Sequence, residues 1–155
     1  MLTQREQEVI KNSIIASVNM VDNMSIHCNI TFTSDNNYFD YIEREIDKNI
    51  KGYGYKKFSI DLTKEDIGFD EIDENGDIVL PSWLKNSGHT FLLLRGIDEI
   101  SNRSRNFKYI NSIIKDSVVR GIDIPIDKHI VILTRGSSNL KYLSKHNMLD
   151  VKLNR

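Results

Sequence analysis

Arg95 follows Phe91-Leu92-Leu93-Leu94 without a break. A guanidinium at the end of so apolar a run has two uses. It neutralises a nearby carboxylate such as Asp61 or Asp98, or it recognises an anion or a partner's carboxylate through its planar fork. Other residue types with chemical potential are less well arranged. His27, His89, His129 and His146 are scattered along a chain with one cysteine, so zinc-ligand spacing is lacking. Cys28 adjoins His27, but neighbours on a strand point to opposite faces, which favours a buried structural thiol over a nucleophile–base pair. Glu71, Asp73, Asn75, Gly76 and Ile78 partly follow a calcium loop. Ser82 stands where the closing Glu ligand belongs, and flanking helices are missing, so Asn75-Gly76 reads as a plain turn. Trp83 is either an exposed recognition aromatic or an anchor of the core. No metal site and no cofactor are expected.

Length and composition bound the rest. The 155 residues fit one domain, with 39% apolar and 28% charged residues, as in an ordinary globular chain. No apolar run approaches the roughly 18 residues of a membrane span. MLTQREQEVI lacks a basic stretch leading into an apolar core, so no signal peptide is expected. A single cysteine fits a reducing compartment, and a cytoplasmic location is expected. Ile occurs 22 times, Asn 15 times and Ala once, the bias of an AT-rich bacterial or phage genome. The net charge of −1 makes the whole chain no polycation for nucleic acid. It hides an imbalance. Residues 1–100 hold ten Lys and Arg against eighteen Asp and Glu, whereas residues 101–155 hold eleven against four. Three readings stay open: two solvated faces of one domain, a head-to-tail contact between acidic and basic patches, or nucleic acid on the basic third. Only Phe107, Tyr109 and Tyr142 supply aromatics to that third, too few for a base-stacking platform.

The elements that must position these residues follow from periodicity. Thr3-Gln4-Arg5-Glu6 is a capping box, and Val9, Ile10, Ile14, Val18 and Val21 predict a helix over 4–22. Ile26, Cys28, Ile30 and Phe32 alternate as in a strand. Ser34, Asp35, Asn36 and Asn37 form a polar loop before a second helix marked by Tyr38, Tyr41, Ile42, Ile46 and Ile50 and ended by Gly52 and Gly54. Phe58, Ile60 and Leu62 predict a second strand, residues 63–88 an irregular insert with a hairpin at Asn75-Gly76. Residues 90–94 and 130–133 are short unbroken apolar runs, the mark of strands buried on both faces. Between them Ser101 or Ser104 caps a helix carrying Phe107, Ile110, Ile113, Ile114 and Val118. Leu140, Leu143 and Leu149 predict a last helix. Strands alternating with helices define an α/β domain around a mainly parallel sheet.

This succession resembles the large subdomain of AAA+ ATPases, most of all the MoxR-like group, over residues 5–155. Asn29–Phe32 resembles the strand before a phosphate loop, and Tyr55–Leu62 the strand after its helix. Leu80-Pro81-Ser82-Trp83-Leu84, Gly88 and Phe91-Leu92-Leu93-Leu94 are similar to the run into that group's Walker B strand. Val119-Arg120-Gly121, Ile124-Pro125 and 130–134 resemble the approach to sensor 1. Leu149 to Leu153-Asn154-Arg155 is faintly similar to the stretch that ends in an arginine finger. The resemblance implies a three-layer P-loop-NTPase-like fold with a four-stranded sheet in the order 1-4-3-2, flanked by helices. The chain stops at Arg155, which implies no lid and no fifth strand. Asn29–Phe32 would then be a sheet edge, open to strand addition or covered by a loop.

Against that resemblance the chemical parts of an ATPase are missing. A phosphate loop needs glycines for close backbone approach, a Lys for the terminal phosphates and a Ser or Thr for Mg²⁺. Here the slot holds Ser34, Asp35, Asn36 and Asn37, no glycine precedes Gly52, and the next Lys is Lys48. An Asp at a helix N-terminus repels polyphosphate and itself occupies the positive end of the dipole. At the Walker B position Arg95-Gly96 replaces the acidic pair, and Asp98-Glu99 follow two residues late. They are either a shifted acidic pair or exposed residues bound to Arg103 or Arg105. Arg135 fills the sensor 1 slot. The resemblance thus implies a scaffold without ATPase activity that works through protein contacts, its partner an AAA+ protein or a second copy. The interface candidates are Arg95, Asp98, Glu99, Arg103, Arg105, Arg120, Arg135 and Arg155. The alternatives are nucleic-acid binding through residues 103–155, and an enzyme that reuses the crevice around Asp35, Asp61, Arg95 and Asp98.

Overall fold

A computed structural model describes residues 1–153 of the chain. In chain order its helices are α1 (Gln4–Met24), α2 (Phe39–Gly52), α3 (Ser82–Lys85) and α4 (Arg105–Asp116). Its strands are β1 (Asn29–Thr33), β2 (Lys56–Asp61), β3 (Thr90–Arg95), β4 (Val118–Val119), β5 (Ile122–Asp123), β6 (Lys128–Thr134) and β7 (Met148–Lys152). Five of the strands form one sheet in the order β2-β3-β6-β1-β7, every neighbouring pair parallel. β4 and β5 make a separate antiparallel hairpin.

Helices flank this sheet on both sides. On one side α1 and α2 bury Ile10, Ile14, Ile42, Ile46 and Ile50 against Ile30, Phe32, Phe91, Leu93, Val131 and Leu133. On the other, α4 and the insert bury Phe107, Ile110, Ile113, Phe69 and Trp83 against Leu92, Leu94, Ile130 and Ile132. Alternate residues of β3 and β6 face opposite layers, which is why both strands read as unbroken apolar runs. α1 starts on the Thr3–Glu6 capping box, with both reciprocal hydrogen bonds formed. Trp83 is an anchor of the insert: it is buried, and its indole N–H donates to the Ile67 carbonyl at 3.0 Å.

Three expectations need correction. The sheet has five strands, not four, because the last segment is a strand instead of a helix. Only a short 3₁₀ turn (Ser138–Tyr142) forms there, and Asn147, with φ +50°, turns the chain into β7. Leu149, Val151 and Leu153 then alternate toward α1 while Asp150 and Lys152 face out, a period of two that a helix would not place on one side. As a result β1 is not an edge: it pairs with β6 on one flank and β7 on the other. Finally, Val118 lies outside α4. Ser117 adopts the left-handed conformation at the helix end, and Val118 opens the β4–β5 hairpin.

Candidate functional site

The C-terminal ends of the parallel strands carry the residues singled out from the sequence. Asn36 and Phe39 follow β1, Asp61 ends β2, Arg95 ends β3 with Gly96, Asp98 and Glu99 behind it, and Arg135 follows β6. Together they line an open crevice of about 240 Å³. In α/β sheets ligands bind outside these strand ends. The topology thus gathers residues that sequence places a hundred positions apart.

Inside the crevice the pairings differ from those expected. Arg95 does not bind Asp61 or Asp98. Its Nη2 donates to Asp40 Oδ1 at 2.8 Å, and its Nε lies 3.5 Å from Glu43 Oε1. Asp40 sits in the first turn of α2, and the Arg95 side chain reaches across to it. Asp61 turns instead to its own loop. It accepts from the Thr63 hydroxyl at 2.6 Å and the Thr63 N–H at 3.0 Å, bonds that hold its carboxyl below the usual range.

Asp98 is not an exposed partner of Arg103 or Arg105. Its side chain is only 5% exposed. It accepts from the Thr134 hydroxyl at 2.6 Å and the Arg135 N–H at 3.1 Å, and so fastens the turn after β3 to the end of β6. Glu99 is exposed beside it. Gly96 lets the turn pass close to the loop after β2. With φ at +87°, an added Cβ would meet Thr63 Cγ2 at 3.0 Å and Asp61 Oδ1 at 3.1 Å.

The slot after β1 is short and closed by its own bonds. Ser34 is buried, and its N–H donates to the Thr134 carbonyl at 3.0 Å. The Asp35 carbonyl accepts from the Tyr38 N–H at 3.0 Å, winding Asn36–Tyr38 into a 3₁₀ turn. Asp35, Asn36 and Asn37 are exposed. The N-terminus of α2 therefore faces the Asp40 carboxylate and, through it, Arg95.

The remaining candidates lie elsewhere. Arg105 pairs with Asp70 at 3.3 Å, and Arg120 donates to the Phe69 carbonyl at 2.6 Å, so both brace the insert. Arg103 is exposed near the start of α4. Arg135, with its side chain 52% exposed, remains the outward cation of the crevice. Arg155 lies outside the described residues.

A second polar constellation, at the opposite ends of the strands, had no signal in the spacing. His129 Nδ1 donates to the Cys28 carbonyl at 2.8 Å, so its Nε2 accepts from His89 Nδ1 at 2.9 Å. His89 Nε2 in turn lies 2.8 Å from Asp22 Oδ1 on α1. Burial pushes His129 down to about 3. Register explains the meeting, since Phe91 pairs with His129 and His89 precedes it by two residues. Cys28 is buried, and burial raises its thiol to about 11, away from nucleophilic use. Among the described residues no three His, Cys, Asp or Glu side chains converge as metal ligands, and no helix is long and apolar enough to cross a membrane. No family model and no curated protein matches the chain.

Proposed function

We propose that the chain is a non-catalytic, AAA+-like α/β domain that works through contacts with another protein, as a regulator, an assembly factor or an inhibitor that mimics a ring subunit. Its P-loop-like character is supported by the order of its parallel strands. Those predicted from the sequence run β1-β6-β3-β2, with β7 outside β1. The loss of catalysis is carried by one observation: Asp40 occupies the first turn of α2 and is bound by Arg95 at 2.8 Å. A phosphate at that helix end would meet a carboxylate. At about 4 Å and an effective dielectric of about 20, each such like-charge pair is unfavourable by about 4 kcal/mol. Arg95, the cation paired with that carboxylate, is engaged there and with Glu43.

Calorimetric titration with Mg-ATP and Mg-ADP, with light scattering in parallel, tests this. The expected outcome is no binding heat at millimolar nucleotide, no turnover and no change of mass. Turnover that Glu99→Gln abolishes, with the fold intact, would overturn the proposal. A second reading takes residues 103–155 as a nucleic-acid surface, with Arg103 exposed before α4 and Arg105 and Lys108 exposed along it. Arg105 is already held by Asp70, and Tyr142 is the one strongly exposed aromatic among the described residues after Arg103. That reading requires affinity for DNA or RNA that falls steeply with salt.

A further inference from the structure

A groove of about 390 Å³ lies on the α4 side of the sheet, over β1 and β7, and begins at Gly136, next to the crevice residue Arg135. No helix covers these two strands there; only the turn at 136–145 arches over them. Leu140 and Leu143 of that turn and Met148 of β7 supply its apolar lining. Lys145 and Lys152 line its rim, and Lys141 stands exposed on the same turn. The one carboxylate at the rim is Asp150, 3.7 Å from Lys145.

A second patch carries the complementary charge and an exposed apolar side chain. The insert leaves β2 as a hairpin closed by the Ile72–Ile78 bridge, with Gly76 at φ +81° in its turn. Residues 71–77 are all exposed and include Glu71, Asp73, Glu74 and Asp77. Paired carboxylates of this region sit at its base, Asp61 with Lys64 and Asp70 with Arg105. Among the described residues no cation pairs with the four at the tip. Ile72 lies 48% exposed in their midst. The base is rigid, because Tyr109 donates to Asp70 at 2.7 Å and Arg120 holds the Phe69 carbonyl.

We infer that the groove over β1 and β7 receives the 71–77 hairpin of a second copy of this chain. Ile72 packs against the apolar lining, and the tip carboxylates meet Lys141, Lys145 and Lys152. The hairpin follows β2 and the groove lies over β7, strands at opposite margins of the sheet about 19 Å apart at the usual strand spacing, and the contact assigned here is between copies. Hairpin and groove are different patches, so the association is head-to-tail and propagates as a ring or an open chain. One hairpin tip buries less than about 1,200 Å², which places the contact in the weak, transient class. The groove and the crevice share no lining residue, and the inference holds whether or not nucleotide binds in the crevice.

Sedimentation velocity over a wide concentration range tests it, with circular dichroism confirming the fold of each variant. The wild-type chain is expected to associate at about 0.1 mM, with affinity falling about tenfold between about 0.05 M and about 0.3 M salt. Glu71→Lys with Glu74→Lys and Asp77→Lys should abolish association, as should Lys145→Glu with Lys152→Glu. The triple variant carries net positive charge on both patches and the double variant net negative charge on both. Mixing the two restores opposite charges at every contact and should restore association. Ile72→Ser should weaken it without changing its salt dependence. A wild-type chain that stays monomeric throughout overturns the inference. So does association that survives both charge-reversed variants, or a mixture that fails to reassociate.

Discussion

A buried imidazole that keeps its neutral form links the fold to pH. His129 is held down to about 3 from an ordinary value of 6.5, chiefly by burial, with the Cys28 carbonyl offsetting part of the shift. His27 shifts the same way for the same reason. Its Nε2 lies against the Lys128 carbonyl and its Nδ1 against the Ser117 hydroxyl. In the unfolded chain both take up a proton more readily than in the fold. Stability is therefore complete well above pH 6.5 and is lost as pH falls toward the folded value, by about 1.4 kcal/mol per pH unit for His129, with His27 adding in the same direction. Urea unfolding between about pH 6.5 and about pH 5, above the ordinary carboxylate range, should show this slope. His129→Gln should lower stability at neutral pH and remove about one proton from the slope. An unchanged slope would contradict this account of the buried pair.

At the scale of elements, the turn between β3 and α4 decides whether the crevice keeps its shape. Gly96 permits both the positive φ and the close passage beside Thr63. Gly96→Ala should destabilise the fold by about 1–3 kcal/mol, read as a fall in melting temperature with the far-ultraviolet spectrum unchanged. A neutral effect would mean that the loop after β2 yields freely. This turn also marks where sequence reading reached its limit. β3, β6 and the amphipathic stripes of α1, α2 and α4 were legible because burial imposes a period on them. Arg95 and Asp98 were legible as residues of interest from their position at a strand end. Their partners were not. Asp40 lies on a helix face that nothing local sets toward β3, and Thr134 reaches Asp98 only through the pairing of β3 with β6. β7 was misread because three leucines at mixed spacing fit a helix when Val151 and Leu153 are not counted with Leu149. The hairpin was legible from Asn75-Gly76, but the groove was visible only as charge, since no spacing tells which end of the sheet a loop occupies.

Across the whole molecule, the −8 of residues 1–100 and the +7 of residues 101–155 do not fall into two separate bodies. Asp70 pairs with Arg105 and Asp98 with Arg135, so the two halves are stitched together where insert and crevice meet α4 and β6. The sheet sets the gradient of order. β6 is buried along its full length at the centre, whereas β2 at one margin is only partly covered. Amide exchange should be slowest in β6, β3 and β1 and fastest in β2 and β7. Equal protection of Lys57 and Val131 would contradict the strand order. Finally, the place of β1 constrains how the protein is made. Its two neighbours, β6 and β7, are made about a hundred residues after it, and Ile30 meets Leu149 only once β7 has left the ribosome. Until then Ile30 and Phe32 travel on a nascent chain with no neighbouring strand, so the finished sheet is closed late and from its distant end.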